Sequence, residues 1–156
     1  MSAGQGERPE SGRATVVIGV DGSEPSFEAL ARAAAVVAAT GARAVVVFVR
    51  HLPPLITSPS GGEALAVMAD TLDALEEKAR ERASAILLGA GVDFAFESRV
   101  GDPAHEIIAV AHEQHASLVV VGASIHGPVA SVVLSSVASH LLHHCDISVA
   151  IVRPTR

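Results

Sequence analysis

Short Val-rich runs alternate with segments of helix length along this chain, and that alternation limits its fold more than any other feature. ATVVIGV (residues 14–20) and AVVVFV (residues 44–49) are apolar at nearly every position, as strands buried on both faces must be. Between them Ser23 is an N-cap and Pro25 fits a first helical turn, so the spacing predicts a helix over residues 24–40, stopped by Gly41. Residues 51–62 hold three prolines and two glycines and read as loop. From Glu63 the spacing of Leu65, Met68, Leu72, Leu75, Ala79 and Ile86 predicts a long amphipathic helix ending near Gly89 or Gly91.

VDFAFES (residues 92–98) alternates apolar and polar residues, the mark of a less buried edge strand. Asp102-Pro103 opens a third helix that runs to about His115, and residues 118–121 form a fourth strand. Residues 136–144 read as a fourth helix and residues 147–152 as a fifth strand. Five alternations of strand and helix predict an α/β fold: a five-stranded, mainly parallel sheet with helices on both faces. Ligands of such sheets lie at the strand carboxyl ends, where the strand order reverses. If the first and fourth strands are neighbours there, the Asp21 turn and the Gly122 loop face one crevice.

Composition excludes several functions. With 156 residues, 49% of them hydrophobic, the chain fits one domain, residues 14–156, behind a polar Gly/Ser-rich tail, residues 1–13, expected to be disordered. A net charge of −6, four Phe and no Trp or Tyr leave neither a basic footprint nor a stacking platform for nucleic acid. No basic, apolar leader opens the chain and no apolar run reaches the roughly 18 residues of a membrane helix. With Cys145 the only cysteine, an internal disulfide is impossible, so a reducing cytoplasm is the expected location.

Residues 117–136, SLVVVGASIHGPVASVVLSS, carry the strongest functional signal. A strand ends at Gly122, a Gly/Pro/Ser loop follows, and Ser135-Ser136 opens a helix with Val137 in its first turn. Such a helix start presents unpaired N–H groups and the positive end of a dipole to an anion, of which phosphate is the obvious example. Other phosphate-binding schemes fail. The only lysine, Lys78, lies inside a helix, so no P-loop exists; the first turn reads Gly19-Val20-Asp21-Gly22 rather than G-x-G-x-x-G. The acidic cluster and Lys of a receiver domain are missing as well.

The chain resembles the universal stress proteins of the UspA type over nearly all of residues 14–153. VVIGVDGSEPSFEAL is similar to that family's opening strand, acidic turn and first helix, and GDPAHEIIAVAHEQHASLVVVGA to its Gly-Asp-Pro turn, third helix and fourth strand. The resemblance implies a flavodoxin-like, adenine nucleotide alpha hydrolase-like sheet, a homodimer joined through the last strand (residues 147–152), and either ATP-binding or nucleotide-free behaviour. The family's ATP motif, G-x2-G-x9-G-[S/T], starts here at Gly122 and ends at Ser136, but Ile125 and Ser135 replace its second and third glycines. Ser124 stands where many members carry a basic residue, and Gly127 is the residue that would let a rearranged loop turn. By the same resemblance Asp21 lies near the adenosine, Gly19 and Val20 line its wall, and the Val49 backbone meets the adenine edge.

The expectation is therefore a cytoplasmic stress-response regulator binding ATP or another adenine nucleotide, with Mg²⁺ as its accompanying ion, and acting on a protein partner that the sequence does not identify. The alternative is a nucleotide-free, dimeric protein-interaction module of the same fold, with Ile125 filling the crevice. No nucleophile elbow, carboxylate pair or Ser/His/Asp arrangement can be placed, so no enzyme is expected, although slow ATP hydrolysis stays open. His140, His143 and His144 on the last helix and His112 and His115 on the third have helical metal-ligand spacing but no acidic or Cys completion, so no structural metal is expected. A pH-sensitive dimer interface is the better reading of the three last-helix histidines.

Overall fold

The computed structural model describes residues 12–52, 62–123 and 134–155. Most of the N-terminal tail, together with Ser124, Ile125 and Gly127, lies outside the described residues. The elements are β1 (Thr15–Val20), α1 (Glu24–Thr40), β2 (Arg43–Arg50), α2 (Gly62–Gly89), β3 (Phe94–Val100), α3 (Pro103–Glu113), β4 (Leu118–Gly122), α4 (Ser136–His144) and β5 (Ser148–Val152). All strand pairings are parallel, in the order β3-β2-β1-β4-β5.

The lack of alternation in β1 and β2 follows from their position inside this sandwich. Successive side chains of a strand point to opposite faces. Val16, Ile18 and Val20 therefore pack with α1 and α2, while Val17, Val45, Val47, Val119 and Val121 pack with α3 and α4. The registers Val17↔Val45 and Val17↔Val119 align the three central strands into that two-faced core.

Local chemistry sets the element ends. Ser23 caps α1 by accepting from Ser26 N, and Gly41 ends it at φ 68°, in the left-handed region where glycine is strain-free. Two elements differ from the sequence reading by two residues at an end, and the others by one at most. The third strand starts at Phe94 rather than Val92 and runs on to Val100; Val92 instead bonds through its N–H to Leu87 O and closes the turn after α2. The third helix stops at Glu113 because His115 adopts φ 49°, and Ala116 N bonds back to Ala111 O across that left-handed residue. As expected, β3 lies at a sheet edge.

An ionic cluster holds α2 across the carboxyl ends of β2 and β3. Arg50 Nη2 lies 2.5 Å from Glu76 Oε2, Arg50 Nη1 lies 2.5 Å from Asp73 Oδ1, and Ser98 Oγ donates to Glu76 at 2.9 Å. Glu76 is only 8% exposed. Burial opposes its ionisation, but the hydrogen bonds from Arg50 and Ser98 outweigh it and hold the carboxyl below its usual range.

Candidate functional site

The strand order reverses between β1 and β4, so the chain leaves these neighbouring strands toward opposite faces of the sheet and a crevice opens at their carboxyl ends. In flavodoxin itself the reversal falls between the first and third strands. Here a cavity of about 170 Å³ occupies the crevice. Gly19, Val20 and Asp21 line it from the end of β1, and Val47 and Val49 from β2. Val121 and Gly122 come from β4, and Ser135 and Val137 from the start of α4.

Seven of the ten residues read from the sequence as the site thus stand around one space: Gly19, Val20, Asp21, Val49, Gly122, Ser135 and Val137. Ser136 is exposed and is not among the lining residues. Ser124 and Gly127 lie in residues 124–133, outside the described residues, as does Ile125. Sequence reasoning missed Ser23, Pro25 and Ser26 at the start of α1, Pro103 and Ile107 on α3, and Val47 and Val121. Val47 and Val121 were detectable: each lies two residues before, or one before, a named site residue on the strand that carries it. Ile107 enters only because α3 packs over the crevice, which no local pattern shows.

The polar groups of the lining are mostly engaged in building its turns. Asp21 Oδ1 accepts from Ser23 N at 2.9 Å, the two-residue bond by which Asp stabilises a turn. Ser23 is the α1 cap, and Ser26 Oγ donates to Ser23 O at 2.8 Å. Ser135 caps α4, its Oγ accepting from Ala138 N at 3.1 Å. Asp21 is exposed, and its Oδ2 takes no hydrogen bond among the described residues. Hydroxyl donors of a ligand can meet that oxygen. Elsewhere the walls are apolar, with Val20, Val47, Val49, Val121, Val137 and Ile107 on several sides, the lining expected around a flat, weakly polar ring.

Among the described residues the lining includes one ionisable side chain, Asp21, and no Lys or Arg. Among the described residues there is no group of three or more His, Cys, Asp or Glu able to hold a metal ion. The histidines do form contacts that their helical spacing only half shows. His140 and His144 have ring centroids 4.3 Å apart, and His105 of α3 joins them, 4.8 Å from His140. His143 turns back on its own helix, its Nδ1 2.7 Å from Ser139 O. His112 is separate from both, its Nε2 2.6 Å from Asp146 Oδ1.

A sequence profile described as the universal stress protein family matches residues 12–153. The chain belongs to the universal stress protein family. A family member from Burkholderia pseudomallei is 28% identical, with a TM-score of 0.69 over 92% of this chain and 98% of the other. A universal stress protein solved in complex with cAMP is 26% identical, with a TM-score of 0.63 over 93% and 100%. A family protein from Arabidopsis thaliana with AMP bound is 16% identical, with a TM-score of 0.61 over 91% and 92%, a likeness of fold. Curated proteins include no match. The matched residues span all five described strands and the four helices. No helix among the described residues is long and apolar enough to cross a membrane.

Proposed function

We propose that this universal stress protein is a regulator that binds an adenine nucleotide in the crevice between β1 and β4. The observation that carries this reading is the cavity itself. It joins an exposed Asp21 carboxylate to apolar walls from β1, β2, β4, α3 and α4 at the point where the strand order reverses. In this reading the adenine lies between the valine walls with its edge on the Val49 backbone, and Asp21 accepts from the ribose hydroxyls. The ligand phosphate faces the start of α4, where Ser135 has already taken up one backbone N–H. The cAMP complex of the 26% identical relative supports the ligand class.

The described lining fits a nucleoside with one phosphate better than it fits a triphosphate, since among the described residues it holds a carboxylate and no fixed cation. ATP would come with Mg²⁺ to offset that charge, and Asp21 is the lining carboxylate able to share such an ion. Turnover is not the output proposed here: the three lining serines are committed to turns and caps, and the one carboxylate among the described lining residues, Asp21, accepts from the Ser23 backbone N–H rather than from a serine hydroxyl.

The regulator acts as a homodimer. Among the described residues β5 pairs with β4 on one side only, and its half-buried Val149, Ala150, Ile151 and Val152 form a sheet edge that a second copy can cover. The output is contact with a partner protein inside the cytoplasm. Calorimetric titration with AMP, cAMP and ATP tests the nucleotide reading. Saturable heat with AMP or cAMP is expected; absence of heat with all three at millimolar ligand supports the nucleotide-free module instead. Sedimentation at micromolar protein tests the dimer, and a monomer contradicts it.

A further inference from the structure

The permanent cations of this chain are distributed unevenly. No Lys or Arg occurs from Val100 to Val152, the stretch that supplies α3, β4, the β4–α4 connection, α4 and β5. Seven of the eight histidines occur in that same stretch. A nucleotide phosphate held near the start of α4 therefore finds no fixed positive side chain from these elements. The basic side chains these elements do carry are imidazoles.

Three of them are gathered at the seam between α3 and α4. His105 is exposed in the first turn of α3, two residues beyond Pro103, which lines the cavity. His140 is half-buried one turn beyond Val137, which also lines it. Their rings lie 4.8 Å apart, and the tilted ring of His144 lies behind His140 at 4.3 Å. Asp102 orients the outermost ring, its Oδ2 lying 2.8 Å from His105 Nδ1. That bond leaves His105 Nε2 pointing away from the carboxylate.

We propose that His105 and His140, with His144 behind them, supply the positive charge that the ligand phosphate meets, so that an anionic nucleotide binds more tightly as the pH falls. The proposal rests on reading the crevice as a nucleotide site. Histidine is the side chain that gains a proton between about pH 8 and pH 5. Each proton gained by such a side chain adds attraction for a phosphate within a Debye length of about 8 Å.

The other charged groups around the cluster do not cancel this effect. Asp102 is the carboxylate in contact with it, one negative charge against three imidazoles. The backbone N–H of His105 and then its ring hold the Asp102 carboxyl below its usual range, so Asp102 keeps its charge throughout the interval in which histidines titrate. Glu106, on the same turn of α3, folds over Gly101, its Oε1 3.0 Å from where a Cβ on that glycine would stand. On α4, His143 is tied to Ser139 O. At the far end of α3, Asp146 Oδ1 is engaged by His112 Nε2 at 2.6 Å, away from the cluster.

Calorimetry with cAMP and with adenosine, each at about pH 5.5 and pH 7.5, tests the proposal. The cyclic diester carries one charge that does not titrate in this interval, so a change in its affinity reports on the protein. The expected result is cAMP binding about fivefold tighter at the lower pH, adenosine binding unchanged, and the cAMP difference lost in His105→Gln/His140→Gln. Adenosine binding with a pH-independent cAMP affinity overturns the proposal and leaves the nucleotide site standing. A pH difference that survives in the double variant overturns the assignment to these residues. Failure of both ligands at both pH values overturns the nucleotide reading and this proposal together. As an independent readout on the unaltered protein, added salt weakens cAMP binding at the lower pH and leaves it nearly constant at the higher; equal salt sensitivity contradicts the proposal.

Discussion

Gly122 and Pro25 are in backbone contact: a Cβ on Gly122 would stand 2.5 Å from Pro25 O and 2.8 Å from Pro25 C. The glycine that ends β4 thus lets the start of α1 close over the sheet end, a demand separate from any ligand. Backbone atoms cannot swing aside as a side-chain tip can. Gly122→Ala is expected to push the first turn of α1 outward and cost about 2 kcal/mol. In a domain of this size that is a fall of roughly 6 °C in melting temperature, measurable by calorimetry. An unchanged melting temperature would show that α1 shifts freely.

Asp21 has two roles that substitution separates. Its Oδ1 accepts from Ser23 N, while Oδ2 is open to the cavity. Asp21→Asn keeps an acceptor for the turn and should melt within about 0.5 kcal/mol of the unaltered protein. Asp21→Ala loses the turn bond as well, a cost of about 1 kcal/mol. Adenosine affinity should fall about tenfold in the Ala variant and less in the Asn variant. Equal affinity in all three proteins would remove Asp21 from the site.

The Arg50–Glu76 pair predicts a defined acid limit. Glu76 ionises more readily folded than unfolded, so its stabilising effect is complete above the unfolded carboxyl value of about 4.3 and is lost as the pH falls through the lower folded value. Glu76→Gln should cost about 2 kcal/mol at pH 7, because Arg50 keeps its charge with a weaker partner. The penalty should shrink below about pH 4. Urea melts at three pH values measure it, and a penalty that grows in acid contradicts the assignment.

His115 holds φ 49°, a left-handed conformation that costs a side chain roughly 1 kcal/mol. His115→Gly should stabilise the protein by about 0.5 kcal/mol, the rest being offset by the freer unfolded chain. A loss of stability would mean that the imidazole makes a contact of greater value.

These positions also show what the sequence made legible. Ser23 and Gly41 bound α1 as read because cap chemistry is local. The neighbouring strand ends that form the crevice could be named because alternating strand and helix place both turns at the carboxyl edge. Contacts between distant segments were not legible. The tilted His105–His140 ring contact and the His112–Asp146 pair join residues 34 or more positions apart. Gly122 reads as a turn residue in sequence, yet its need for glycine comes from α1, almost a hundred residues earlier. Ile125, on which the two functional readings divide, lies outside the described residues.

The central claim concerns the place where a ligand binds, and an amide shift map answers it most directly. Adenosine added to ¹⁵N-labelled protein should move the signals of Gly19, Val20, Asp21, Val49, Gly122, Ser135 and Val137 together, with one dissociation constant, and leave α2 and the β3 edge unmoved. No shift at millimolar adenosine, or shifts confined to another face of the sheet, would contradict the account.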